Sequence, residues 1–456
     1  MRLSGPSPFA DCPPAGLDGV LPAGALEPAV AVSPLGPRHL AAVWTQDRFR
    51  GLVAGVSTDG GRSWSRTVVP ATARCTGGAF DYVDDVWLSF GPTGVLHLSA
   101  HVFDAPATTP SGLITARSHD GGRTWTRPVT IVAEADPERG TFVGGAIAAD
   151  PHRPGRVHAV VPKIVEPREQ RRPFGGSVVF ATSDDAGRSW RPRTTFDAGT
   201  DRLTTGHQLL VQGDGTLVNT FTLVDLSGDR PVRHAAVMRS RDHGGTWSEP
   251  ILVAEMRSAG VTDPQSPRDP VASGSAMLTD AAVAPGGDRI HLVWQDARFS
   301  GGRADAIALS SSADGGRTWS EPVRVNRTPA GIPAGDQQAF NASVAVAADG
   351  TLAVDYFDLR HNDAAAGLRT DRWLVTCRPV PARNCASRSG SGTETRLTGR
   401  SFDMRRAPFL AEIGPPGFFL GDYTGLAATG GHGFVAAFAQ PDETDPAAVT
   451  VVPIRR

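Results

Sequence analysis

The chain has 456 residues, a formal net charge of −2, 52 glycines, 37 prolines and four cysteines. The near-neutral charge gives no electrostatic basis for binding nucleic acid or an anionic membrane. No stretch approaches the ~18 apolar residues of a membrane-spanning helix. We therefore expect no nucleic-acid partner and no membrane span. The glycine and proline contents exceed the usual ~7% and ~5%, which is typical of many short strands and turns.

One eight-residue pattern, Ser-x-Asp-x-Gly-x-Ser/Thr-Trp, occurs five times along the chain. Strand-like apolar segments flank the copies. Asp and Gly between two such segments predict a tight turn, because Gly accepts positive φ and Asp hydrogen-bonds the backbone that follows it. A pattern that recurs at similar intervals along a chain, as the starting positions given next show, indicates a repeat architecture. The copies begin at Ser57, Ser118, Ser183, Ser240 and Ser312.

This pattern resembles the Asp box of the BNR repeat, and the chain resembles the sialidase-like β-propellers that carry it. The resemblance implies an all-β fold: a single propeller of four-stranded antiparallel blades. It places each box at the turn between the third and fourth strands, on the face opposite the active site. We expect seven blades, with six as the alternative because sialidases have six. The box is structural, so the resemblance predicts the fold more than the reaction.

The repeats divide the chain into an arm and a propeller. We predict that residues 27–456 form the propeller and that residues 1–26 form an N-terminal arm, whose strand completes the last blade and closes the ring. The first five units each carry a box, a sixth lacks one, and a seventh supplies three strands. Two long inserts, 256–279 and 402–420, are expected to be functional or mobile.

The four cysteines allow two disulfides in three connectivities. We expect Cys377–Cys385, which stands where the sixth box is missing, and Cys12–Cys75, which ties the arm to the first unit. Four free thiols are the alternative. Disulfides indicate an oxidising compartment, so we expect a secreted or extracellular protein. The chain shows no signal peptide, and we expect that a leader is missing from it.

Acidic residues end the second strand of every unit, on the face that the resemblance places opposite the boxes. Guanidinium groups bind carboxylates in bidentate geometry, so nearby arginines predict a substrate-binding surface. We predict that Arg48, Arg298 and Arg360 bind substrate there, with Asp47. The alternative is that each Asp caps its loop and each Arg pairs with its own Asp. The acids are Asp47, Asp104, Glu166, Asp225, Asp296, Asp358 and Asp442.

The links between units add candidates on the same face. Asp85 lies in the link before the second unit. Asp422 and Tyr423 lie in Gly421-Asp-Tyr-Thr-Gly425, a segment similar to one that is common in secreted sialidase-like proteins. We predict that Asp422 and Tyr423 bind substrate. The alternative is a strand start with a packed tyrosine.

A catalytic set follows from the resemblance. Sialidases use a Tyr nucleophile assisted by Glu, an Asp general acid and an arginine triad. Tyr356 and Asp358, two residues apart, point the same way on a strand, and a Tyr nucleophile needs a nearby carboxylate. We predict catalytic roles for Tyr356, Asp358, Asp85 and Asp296. The Arg-Ile-Pro signature of sialidases is absent, which argues against sialic acid itself.

Two functions stay open at this stage. The first is a secreted glycoside hydrolase of exo-sialidase-like type that acts on a glycan or another small polar substrate, including acidic sugars. The second is a non-catalytic propeller that binds a glycan or a protein. We expect a monomer without a cofactor. The carboxylates could hold Ca²⁺, although no ligand spacing supports it strongly.

Overall fold

The computed structural model describes residues 1–105, 109–166, 174–271, 275–363, 365, 367–378, 385, 392–411, 416–430 and 433–455. Antiparallel β-sheets dominate these residues, which confirms the all-β prediction. None of their helical segments has the length and apolar character needed to cross a bilayer. The chain divides into two compact units. The N-terminal unit comprises Pro6–Gly19 and Ala29–Glu255, and the C-terminal unit comprises Met1–Gly5, Val20–Pro28 and Met256–Arg456.

Four sheets build the N-terminal unit, and in each sheet four strands pair in sequence order. The first half of β1 belongs to the C-terminal unit, and β9 is an extra strand on β11. The strands are β1 (Ala25–Val32), β2 (Leu40–Gln46), β3 (Gly51–Ser57), β4 (Ser65–Val68), β5 (Tyr82–Phe90), β6 (Leu96–Phe103), β7 (Ser111–Ser118), β8 (Val129–Glu134), β9 (Thr141–Phe142), β10 (Ala146–Ala149), β11 (Val157–Val165), β12 (Gly175–Ser183), β13 (Arg191–Thr200), β14 (Arg202–Val211), β15 (Leu217–Asp225), β16 (Val232–Ser240) and β17 (Ile251–Glu255).

The C-terminal unit continues this pattern with two four-stranded sheets and one three-stranded sheet. The N-terminal residues of the chain pair with the edge of the three-stranded sheet. Arg2 forms an antiparallel bridge with Thr450, and the Leu3 amide donates to the Val449 carbonyl at 2.7 Å. The repeat strands are β20 (Thr279–Val283), β21 (Ile290–Asp296), β22 (Ala306–Ser312), β23 (Val323–Arg324), β24 (Ala339–Val346), β25 (Leu352–Asp358), β26 (Arg369–Cys377), β27 (Thr393–Arg396), β31 (Gly425–Ala428), β32 (Phe434–Gln440) and β33 (Ala448–Ile454), with β28 (Phe402–Asp403) paired to β26.

The two long inserts pair with each other in a small sheet of order β18–β19–β30–β29. An ion pair joins Arg405 of the second insert to Asp263 of the first at 2.6 Å. The two inserts are therefore held together by backbone pairing and by charge. Their strands are β18 (Val261–Asp263), β19 (Ser266–Val271), β29 (Phe409–Leu410) and β30 (Gly417–Phe418).

Short 3-10 segments occur between several strands of both units. They are Arg74–Thr76, Pro137–Arg139, Ser275–Met277, Ala297–Ser300, Ala334–Gln337 and Met404–Arg406.

Each eight-residue box forms a hydrogen-bonded turn at the end of the third strand of its sheet. In the first copy the Ser57 hydroxyl donates to Asp59 Oδ1 at 2.8 Å and accepts from the Gly61 amide at 2.9 Å. The Ser63 hydroxyl donates to Asp59 Oδ2 at 2.6 Å. The same three contacts recur in the other four copies. The turn therefore depends almost wholly on its own residues.

Both expected disulfides are present, Cys12–Cys75 and Cys377–Cys385, with Cα atoms 5.6 and 5.3 Å apart. Cys377 ends β26, the third strand of its sheet. The second disulfide therefore stands at the position that an Asp box occupies in five other sheets.

Apolar side chains from neighbouring sheets of a unit pack into shared buried clusters. In the N-terminal unit Val43 of the first sheet and Leu98 of the second belong to one buried cluster. In the C-terminal unit Leu309 and Val354 do the same for the next pair of sheets. Central strands such as β2 are buried along their whole length. Successive sheets therefore pack face to face.

Candidate functional site

Three polar residues in first strands of their sheets have a left-handed backbone: Glu27 (φ 54°), Asp85 (φ 47°) and Asn341 (φ 49°). At Asp85 and Asn341 the pairing with the second strand also skips residues, as in a β-bulge. Such a conformation costs about 1–3 kcal/mol for a residue other than glycine and clusters at functional sites. A bulge also redirects a side chain. The left-handed positions of these strands are therefore candidate site positions.

In the N-terminal unit the bulge places two aspartates beside a histidine. Asp84 lies opposite His101 in the β5–β6 pair, and its Oδ1 is 2.7 Å from His101 Nδ1. His101 is buried and stacks on Phe103, with ring centroids 5.3 Å apart. One ligand atom from each of Asp84, Asp85 and His101 lies within 4.8 Å of the others. We call these three residues the Asp–His cluster.

The environment of the Asp–His cluster favours a protonated Asp85. Burial raises the pKa of Asp85 to about 7, and the charge of Asp84 contributes to the same shift. Asp85 as a residue is half-buried, although protein atoms surround its carboxyl closely. Burial lowers the pKa of His101, but the adjacent Asp84 outweighs burial, so that this pKa is raised. Asp85 can therefore donate a proton near neutral pH.

The Asp–His cluster is a poor match to calcium. Ca²⁺ takes six to eight oxygen ligands, whereas Asp84 and Asp85 supply two carboxylates and His101 supplies a nitrogen. Asp84 also uses one oxygen for His101. The Asp–His cluster is the one group of three or more potential metal ligands found in the described part of the chain. Calcium binding stays a prediction.

Tyr356, the predicted nucleophile, lies in a closed network in the C-terminal unit. Its side chain is fully buried, its hydroxyl is in close contact with Glu394, and it accepts a hydrogen bond from the Arg327 amide at 2.9 Å. Burial, followed by the charge of Glu394, raises the pKa of Tyr356 well above its usual value. Attack on a substrate would require this network to open. The catalytic role of Tyr356 stays a prediction.

Arg298 and Arg360 pair with the aspartates at the ends of their own strands. Arg298 Nη2 is 2.8 Å from Asp296 Oδ2, and Arg360 Nε is 2.6 Å from Asp358 Oδ2. Arg360 also donates to both oxygens of Glu394 at 2.8 Å. This is the geometry in which each Arg pairs with its own Asp. Neither aspartate side chain is exposed, so substrate contact by Asp296 or Asp358 would require rearrangement. The site roles of all four residues stay predictions.

Other acids of the predicted set also pair with arginines, but with partners distant in sequence. The pairs are Asp104–Arg74 (3.7 Å), Asp225–Arg202 (2.9 Å) and Asp442–Arg2 (2.7 Å). The strand-end carboxylates therefore form ion pairs within the protein at several positions.

Arg48 is the exposed one of the three predicted arginines. Asp47 and Arg48 adopt left-handed conformations (φ 45° and 54°) in the turn after β2. No acidic residue in the described ranges pairs with Arg48. The buried arginine of this turn is Arg50, which contacts Asp18. A guanidinium available to an anionic group is therefore present at Arg48.

Asp422 and Tyr423 are half-buried residues that follow a tight turn at Gly421 (φ 96°). A Cβ at Gly421 would lie 2.8 Å from Glu27 Cγ, so only glycine fits there. The Asn341 side-chain amide donates to the Gly421 carbonyl at 2.9 Å. The C-terminal unit thus gathers Glu27, Asn341 and Asp422 around one glycine.

Three residues of these clusters were not predicted as site residues from the sequence: His101, Glu27 and Asn341. His101 alternates with apolar residues in β6, so it resembles a core histidine. Glu27 and Asn341 offered one signal: a polar side chain near the start of an otherwise apolar first strand. A polar residue at such a position does not by itself predict a site; the positive φ angles of the structure are needed as well.

Comparisons with known proteins bear on the fold. No protein-family model matches the chain, and no curated protein matches it either. Among solved structures, the Hadza microbial sialidase Hz136 aligns with a TM-score of 0.52 and 16% identity, covering 91% of this chain and 74% of that one. A structure of NanB plus Optactamide aligns with a TM-score of 0.50 and 10% identity, covering 91% and 83%. An α-L-arabinanase from Penicillium chrysogenum aligns with a TM-score of 0.48 and 14% identity, covering 73% and 88%.

The two matches with TM-scores of at least 0.50 establish the fold alone, because their identities are low. The chain has the sialidase-like β-propeller fold, as the box pattern predicted. A blade count of seven stays a prediction.

Proposed function

We propose that this protein is a glycoside hydrolase in which Asp85 is the proton donor. The Asp–His cluster is the observation that carries the proposal. Cleavage of a glycosidic bond needs a carboxylic acid that is still protonated at the working pH and can protonate the leaving oxygen. A carboxyl whose pKa is about 7 meets this requirement.

The neighbours of Asp85 have distinct parts in this mechanism. The charge of Asp84 disfavours ionisation of Asp85, as a second carboxylate does in other acid pairs. His101 holds Asp84 through the 2.7 Å contact and so fixes that charge. The left-handed backbone at Asp85 aims its carboxyl away from the regular strand direction. Asp84 and His101 are thus positioning residues.

The proposed substrate is a sugar, including acidic sugars. Arg48 has an exposed guanidinium that suits a carboxylate. Arg298 and Arg360 already form ion pairs with carboxylates of the protein. Binding of a substrate carboxylate by three arginines, as in sialidases, therefore has no support here. We do not propose sialic acid as the substrate. Two disulfides favour an extracellular setting, where polysaccharides are accessible.

A second candidate function is binding without catalysis. The burial of Tyr356 and its contact with Glu394 favour it, because the predicted nucleophile is part of the protein interior. In that case the same face would bind a glycan or a protein without turnover.

A glycan panel assayed for both turnover and binding separates the two functions. The proposal predicts turnover that falls about 100-fold or more in kcat for Asp85→Asn, with little change in KM. Asp104→Asn is the matched control, because it removes a carboxylate at the end of the neighbouring strand. Turnover that survives in Asp85→Asn would exclude Asp85 as the acid, and binding without turnover would favour the second function. Tyr356→Phe and Arg298→Ala test the remaining predicted residues.

A further inference from the structure

A cationic pocket lies between two neighbouring box turns of the N-terminal unit. It occupies about 400 Å³ between the sheet β10–β13 and the box that follows β16. We call it the box pocket. Its walls include Arg156, Arg191, Arg193, His243 and Asp184, and its floor is Phe180.

Phe180, which lines the box pocket, is tightly packed. Phe180 is 2% exposed, stacks on His158 with centroids 5.6 Å apart and meets the edge of Trp247 at 5.2 Å. A Cβ at Gly244 (φ 86°) would overlap the Phe180 ring, so glycine allows the box turn to close over it. The pocket is therefore part of the packing between two sheets and does not depend on a loose loop.

Positive charge exceeds negative charge in the box pocket. Asp184 forms ion pairs with two of the arginines. Arg156 Nε lies at 2.7 Å, and Arg191 is in closer contact. Arg193 has no acidic partner in the described ranges, and it lies on β13 directly opposite Phe180 on β12. The Asp242 carboxylate is engaged within its own box. One guanidinium thus remains available to a ligand.

His243 adds a second polar side chain to the lining of the box pocket. Its Nδ1 is shielded from solvent, so this nitrogen is not open to a ligand. The guanidinium of Arg193 is the group that can bind an oxyanion in bidentate geometry. Arg193 and His243 line the same cavity from two different sheets.

We propose that the box pocket binds an oxyanion group, such as the sulfate or carboxylate of an anionic polysaccharide. The boxes follow third strands, whereas Asp85 lies beside the opposite ends of its sheet's strands. The box pocket would therefore anchor a polymer without occupying the Asp–His cluster. This role is independent of whether Asp85 is catalytic.

Calorimetric titration of the full chain at constant ionic strength tests the proposal, with sodium sulfate and a sulfated oligosaccharide as probes. We expect saturable binding that weakens about tenfold or more in Arg193→Ala, because the variant loses charge-assisted hydrogen bonds to the anion. Arg66→Ala is the matched control, since Arg66 is also an exposed arginine on a fourth strand, outside this pocket. Both arginines are exposed, so both variants should fold, and thermal unfolding verifies it.

The outcomes divide clearly. Weaker binding in Arg193→Ala with unchanged binding in Arg66→Ala supports the proposal. Tighter binding of the oligosaccharide than of free sulfate then identifies a polymer as the source of the anion, and equal binding identifies a free ion. Absence of saturable binding, or equal affinities in the two variants, overturns it.

Discussion

Arg372 and Asp355 form an ion pair in which neither side chain is exposed, with Arg372 Nη2 2.8 Å from Asp355 Oδ1. The guanidinium also donates to the Asn341 carbonyl at 2.8 Å and contacts the Thr424 hydroxyl. One buried arginine thus holds the left-handed residue of β24 and the end of the segment that contains Asp422. This is a structural support for the surface where Asp422 and Tyr423 are predicted to bind substrate.

Replacement of Arg372 should strongly destabilise the protein. Arg372→Met leaves Asp355 as a buried charge without a partner, and such changes cost about 3–5 kcal/mol. Urea unfolding followed by tryptophan fluorescence measures the loss. Arg369→Met is the matched control on the same strand, because its ion pair with Asp363 is exposed and should contribute less than about 1 kcal/mol. Equal losses in the two variants would show that burial of the Arg372 pair is unimportant.

The box aspartates should make the stability of the folded protein depend on pH. At Asp120 burial opposes ionisation, but hydrogen bonds from Thr124 and Ser118 outweigh it and lower the pKa to about 2. A carboxyl with a depressed folded pKa stabilises the protein above its unfolded pKa, and this stabilisation is lost as pH falls toward the folded pKa. We expect Asp120→Asn to lower the free energy of unfolding by about 1 kcal/mol at pH 6, which is typical for loss of a helix N-cap side chain, and by less at pH 3.

Unfolding by urea at the two pH values tests this dependence. Asp11→Asn is the control, because Asp11 is exposed and makes no hydrogen bond within the described residues. A difference between wild type and Asp120→Asn that stays constant from pH 6 to pH 3 would contradict the expectation.

The boxes could be predicted from sequence because their contacts are local. Ser118, Asp120 and Thr124 satisfy one another within seven positions, whatever the rest of the chain does. The repeat then orders the strands on either side. The disulfide at Cys377 was predictable for a similar reason, since its partner is only eight residues away.

The site was harder to predict because its contacts depend on strand register. His101 meets Asp84 only because the β5–β6 pairing places them opposite each other beside a bulge. Arg360 was predicted to bind substrate, with pairing to Asp358 as the alternative; it pairs with Asp358, and Glu394 joins from 34 residues away. Hydrophobic alternation carries no information on such partners. The pairing of the two inserts is equally remote in sequence.

The two disulfides should differ in their contribution to stability. The chain-entropy model predicts about 2–3 kcal/mol for the eight-residue span of Cys377–Cys385 and about 4 kcal/mol for the 63-residue span of Cys12–Cys75. Unfolding of the two paired Cys→Ala variants under non-reducing conditions gives both values. A larger loss for the short span would show that its role as a substitute for the Asp box outweighs chain entropy.

The raised pKa of Asp85 should be visible in stability even without an assay of activity. Burial raises this pKa to about 7. A carboxyl with a raised folded pKa favours folding below its unfolded pKa, and this contribution is lost as pH rises through about 7. Asp85→Asn removes the ionisation, and Asn tolerates the left-handed backbone well. We therefore expect Asp85→Asn to melt above wild type at pH 8 and close to wild type only near about pH 4, the ordinary range of a carboxyl pKa, whereas Asp11→Asn follows wild type at both. If the melting temperature of Asp85→Asn does not rise above that of wild type between these two pH values, Asp85 is already ionised at neutral pH and cannot be the proton donor.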